Sequence, residues 1–201
     1  GMDGQKILKP IPSDQLFDVG HYIDHELVVN LKEDCAKRLD RIQNNKAKRV
    51  LLTVGGAGAQ REIFAEIIKK LLPRIERNEV VLMINVGDHL KVWERLLNDI
   101  PQLKDKVQTY FNDWKRTQVF ANHALEEDVK GIHVFYNEDI FAAVYSSNLL
   151  MRSADILVTK PSELAFYPVP KLIIKRVGGH EAWGAIRAAE IGDGTLECDS
   201  V

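Results

Sequence analysis

The chain has 201 residues, 45% of them apolar and 28% charged, with 27 Lys and Arg against 29 Asp and Glu for a net charge of −2. That length is one ordinary domain or one half of a two-domain enzyme, and it buries roughly 70% of its unfolded surface without needing disulfides or metals. The charge balance excludes the strongly basic surface of a general nucleic-acid binder. The two cysteines, Cys35 and Cys198, stand far apart and form no disulfide framework, so a reducing, cytoplasmic setting is expected. Apolar runs such as Val80-Val81-Leu82-Met83-Ile84 fall far short of the about 18 residues that a membrane span needs.

In chain order, Gly1 before Met2 looks like a tag remnant, and residues 1–20, with Pro10 and Pro12, read as a lead-in. From His25 to about Asn44, Leu27, Val28, Leu31, Cys35, Leu39 and Ile42 recur at helical spacing. Charges fill the other positions, which predicts a helix lying on something larger, with Cys35 facing the core. Val50 to Val54 is a short β-branched run, the mark of a strand buried on both faces. Glycines at 55, 56 and 58 follow, then a helix through Ile63 to Leu72, closed by Pro73. A second buried strand spans Val80 to Val86, broken by Gly87, and a helix from Leu90 stops at Pro101. Residues 102–130 are rich in charge and amides, and their aromatics Tyr110, Phe111, Trp114 and Phe120 predict a packed segment without a legible period.

Strands are then expected at Ile132 to Phe135, Ile156 to Val158 and Leu172 to Ile174. Helices are expected through Ile140 to Met151, from Ser162, and from Glu181 to Ile191, the last stopped by Gly192. Apolar strands alternating with helices specify an α/β, Rossmann-like domain: a mostly parallel sheet with helices on both faces. In such sheets ligands bind beyond the carboxyl ends of the strands, so the loops at 55–61, 85–89, 135–139, 159–163 and 175–181 are the candidates.

Three of these loops carry usable chemistry. In Gly55-Gly56-Ala57-Gly58-Ala59-Gln60 the glycines admit a close backbone approach, and the following helix start suits an anion such as a diphosphate. A dinucleotide fingerprint fails there, because Arg61 stands at the last glycine position and Asn85 and Val86 replace the acid after the second strand. In Thr159-Lys160-Pro161-Ser162-Glu163, Ser162 suits a helix N-cap and Glu163 could accept two ribose hydroxyls while Lys160 neutralises a phosphate. In Val177-Gly178-Gly179-His180-Glu181, His180 and Glu181 could bond sugar hydroxyls. His21 and His25 share a helical face but lack a third ligand, so a capped helix start is expected and no metal.

Together, Val54 to Gln60, Met151-Arg-Ser-Ala-Asp-Ile-Leu-Val-Thr-Lys-Pro-Ser-Glu163 and Gly179-His-Glu181 resemble the donor-binding half of a GT-B fold glycosyltransferase. The likeness is to the group holding the peptidoglycan N-acetylglucosaminyl transferase and the plant galactolipid synthase, and it covers roughly residues 20 to 195. It implies that residues 21–201 form one half of a GT-B architecture, binding a UDP-sugar donor for inverting, metal-independent transfer without a cofactor. It also implies that Gly55, Gly56, Ala57, Gly58 and Lys160 meet the donor diphosphate, and that Tyr136, Asn137, Ser162 and Glu163 meet the nucleoside. His180 and Glu181 would then meet the donor sugar. The chain departs from the group at Ala57, in place of a serine, and at His180, in place of a glutamine. The N-terminal acceptor domain, which supplies the base and any membrane attachment, is expected to be absent from this chain, leaving it inactive alone. A UDP-sugar 2-epimerase half and a non-catalytic sugar-nucleotide-binding domain are the alternatives.

Overall fold

The computed structural model describes residues 11–19, 23–54, 61–161, 167–176 and 178–198. Helices α1 (His25–Val29) and α2 (Leu31–Gln43) lead into β1 (Lys48–Thr53), then α3 (Arg61–Glu76) and β2 (Val80–Asn85). Next come α4 (Leu90–Asp99), β3 (Val107–Phe111), α5 (Trp114–Glu126), β4 (Ile132–Tyr136) and α6 (Ile140–Ser153). The chain closes with β5 (Ile156–Thr159), β6 (Lys171–Ile173) and α7 (Ala182–Glu190). The six strands form one sheet in the order β3-β4-β2-β1-β5-β6, with every pairing parallel. This is the α/β, Rossmann-like architecture that the sequence predicts.

The central strands β2 and β4 are buried at every position, because helices cover both faces. On one face Val50, Leu52, Leu82 and Ile84 pack with Phe64, Ile68, Trp93 and Leu96 of α3 and α4. On the other, Leu51, Met83 and Phe135 pack with Leu27, Phe120, Leu150 and Met151 of α1, α5 and α6. The single-residue alternation along each strand divides these two cores.

Four local readings are corrected. The first predicted helix is two, parted at Asn30, and Asp24 caps α1 by accepting the Glu26 N–H at 2.9 Å. Pro73 does not close α3 but sits inside its last turns. Residues 102–130 hold a strand and a helix, β3 and α5.

The fourth correction concerns α2, whose apolar positions do not face the body. Leu39 and Ile42 are 58% and 45% exposed, and Cys35 is only half-buried. The buried side is Asp34, Arg38 and Arg41. Arg41 donates from Nε (3.0 Å) and Nη2 (2.7 Å) to Oδ1 of Asp155, whose Oδ2 accepts the Arg49 N–H at 2.9 Å. Arg38 donates to the carbonyls of Ala154 and Pro168, both at 2.9 Å. Asp34 accepts from Arg152 Nε and from the Tyr167 hydroxyl, each at 2.9 Å. Burial pushes the Tyr167 phenol well up, with Asp34 beside it adding to the shift. Helix α2 is therefore fastened by charge-assisted hydrogen bonds where the spacing of its apolar residues predicts hydrophobic contact.

Candidate functional site at the carboxyl edge

The strand order reverses between β1 and β5: from β1 the chain proceeds to β2 on one side, and from β5 to β6 on the other. In α/β sheets such a reversal, at the carboxyl ends of the strands, is the place where ligands are taken. Thr53 and Thr159 end the two strands, both buried, with their hydroxyls 2.9 Å apart. In chain order residues 55–60 stand between β1 and α3, a strand and a helix. Gly55, Gly56, Ala57 and Gly58 themselves lie outside the described residues, as do Ser162 and Glu163.

Lys160 follows β5 directly, and Glu181 ends the 3-10 turn Gly179–Glu181 after β6. The two expected contacts, one for diphosphate and one for sugar, are each other's partners: the Lys160 ammonium donates to Glu181 Oε1. Their side chains are 20% and 8% exposed, so the pair lies at the rim of the interior. Glu181 Oε2 also accepts the Gly178 N–H at 3.3 Å. This pair ties the loop after β5 to the turn after β6 and brings two of the three sequence elements together. The side chain of His180 lies outside the described residues.

Tyr136 and Asn137, expected at the nucleoside, stand at the end of β4, and both are buried. The Tyr136 ring packs edge-on against Phe111 at 5.6 Å. Asn137 donates its N–H to the Gly87 carbonyl at 3.1 Å, so that N–H is engaged within the protein. Three strands, β2, β1 and β5, lie between β4 and β6, so these residues sit farther along the edge from Lys160 and Glu181.

Sequence reading missed two contributors. Asn85, at the end of β2, donates to the Ala143 carbonyl (3.0 Å) and the Ser147 hydroxyl (2.8 Å) and accepts the Gly87 N–H (3.0 Å). It occupies the place where a dinucleotide-binding protein carries a ribose-binding acid, and it spends its amide on tying β2 to α6. The Thr53–Thr159 pair is the other. Its trace in the sequence is a threonine at or near the end of each of two apolar runs. No group of three or more His, Cys, Asp or Glu side chains able to hold a metal occurs among the described residues.

A family model described as a domain of unknown function, DUF6938, matches residues 11–201. The chain belongs to the DUF6938 family. The match takes in both halves of the DUF6938 sheet and all of the carboxyl-edge loops. No curated protein and no solved structure matches it. Among the described residues of this DUF6938 chain, no helix is long and apolar enough to cross a membrane.

Proposed function

We propose that this domain binds a nucleotide-sugar at its carboxyl edge, as the UDP-sugar donor-binding half of an inverting, metal-independent glycosyltransferase. The observation that carries the reading is the Lys160–Glu181 pair beside the β1–β5 reversal. A cation and a carboxylate from two different loops meet just past the end of β5, the strand paired with β1. An entering diphosphate competes for the Lys160 ammonium, and the Glu181 carboxylate beside it offers acceptors to sugar hydroxyls. Helix α3, beginning just after the glycines, adds its N-terminal dipole to the diphosphate's stabilisation. Departure of the diphosphate is then favoured by preorganised positive charge. The base that activates an acceptor hydroxyl would come from a second domain.

Isothermal titration and thermal unfolding with UDP, UDP-sugars, GDP and NAD test the reading. Uridine-selective binding is expected, adding about 2.7 kcal/mol of stability at a ligand concentration of 100 Kd. Glu163→Ala should abolish it, and Lys160→Ala should weaken UDP far more than uridine. Selective binding of NAD, or no response to any uridine nucleotide, overturns the proposal.

A further inference from the structure

Away from the carboxyl edge, the outer side of β3 combines three features that no role has yet absorbed. The first is an open backbone ladder. β3 is the terminal strand, and among the described residues nothing pairs with its outer edge. Asn112 donates its N–H to the Tyr136 carbonyl at 2.9 Å, toward β4. The alternation of the ladder turns Tyr110 and Gln108 the same way and leaves the N–H and C=O of Val107, Thr109 and Phe111 pointing outward. Val-Gln-Thr-Tyr-Phe carries neither the charge nor the proline that usually guards an edge.

The second feature is a groove of about 620 Å³ between this strand and α5. Tyr110, Phe120, Val129 and His133 are buried along its floor. The floor is held firmly: the Tyr110 hydroxyl lies 3.2 Å from His133 Nδ1, and His133 Nε2 lies 2.9 Å from the Lys130 carbonyl. The third feature is charge. Lys115, Arg116, His123 and Lys130 stand around the rim, with the Arg116 guanidinium 5.0 Å above the Tyr110 ring. The one acid among the lining residues, Asp128, is held by Lys46 at 2.6 Å.

We propose that this groove docks an extended, acidic peptide segment of a partner protein, which adds to β3 as a further strand. The edge supplies main-chain hydrogen bonds, and alternate side chains of the added strand fall onto the aromatic floor beside α5. The cationic rim selects acidic residues and speeds their approach. A strand of five residues accommodates a partner segment of similar length.

The test uses the whole chain and two acetylated heptapeptides, one alternating Glu with Val and one alternating Lys with Val, followed by NMR. The acidic peptide is expected to shift resonances of residues 107–111 and 115–123, to slow amide exchange at Thr109, and to bind at least tenfold more weakly at high salt. Thr109→Pro removes one outward N–H at a position where an edge strand tolerates proline, and should weaken binding at least tenfold. Thr109→Val should bind like the parent. Lys115→Glu with Arg116→Glu should also lose at least tenfold, and it decides the matter if the proline variant does not fold. Equal binding of the basic peptide, shifts outside the groove, or no binding each overturn the proposal. So do displacement of the peptide by free glutamate at equal affinity and a solution dimer joined through β3.

Discussion

Removing the Asp155 carboxylate by Asp155→Ala should unfasten α2 from the sheet. The side chain is buried, and its two oxygens serve both nitrogens of the Arg41 fork and the Arg49 N–H. Without it, the buried Arg41 guanidinium keeps, among the described residues, the neutral Ser153 carbonyl at 3.1 Å. A neutral acceptor does not balance a charge, and breaking a buried pair from one side costs about 3–5 kcal/mol. For a chain of this size that lowers Tm by about 6–20 °C, at 2–4 °C per kcal/mol. Urea unfolding of Asp155→Ala, Arg41→Ala and the double variant measures the coupling. The double variant should be more stable than the summed single losses by about 2–3 kcal/mol, because it strands no charge. A loss under about 1 kcal/mol for Asp155→Ala, or strict additivity, would refute the view that α2 is held by ion pairs.

Two further outcomes follow from buried and exposed groups. Burial pulls the His133 imidazole from 6.5 down to about 4. The unfolded chain therefore takes up a proton that the folded one refuses as pH falls from 6.5 toward 4. Stability should drop through that window by about 3 kcal/mol, and unfolding curves of His133→Gln should lack that part of the slope. Leu39→Lys should change stability by no more than about 0.5 kcal/mol, because Leu39 is 58% exposed. A loss of about 2 kcal/mol or more would place Leu39 in the core after all.

The strands were most legible where the sheet is deepest. Val50 to Thr53 and Val80 to Ile84 are buried on both faces, so their side chains carry no polar alternation and announce themselves as runs. The edge strand β3 was missed for the opposite reason, since Gln108 and Thr109 are exposed and break any run. In α2 the spacing was read correctly but its direction was not. Helical period reports that residues share a face, whereas Arg38 and Arg41 show that a body offering carbonyls and a carboxylate selects the charged face. The loops at the carboxyl edge were found from strand ends alone. That Lys160 would meet Glu181 was not readable, because a pairing across 21 residues depends on β5 and β6 lying side by side.

The placement of β5 beside β1 also sets a schedule for the nascent chain. Until residue 156 is made, Val50, Leu51 and Leu52 have a neighbour only on the β2 side. About 100 residues separate Thr53 from Ile156, which at 5–20 residues per second leaves that apolar margin open for about 5–20 s of synthesis. α6 closes the interval by carrying the chain from β4 past β2 and β1, so the last two strands dock onto a strand made about 100 residues earlier.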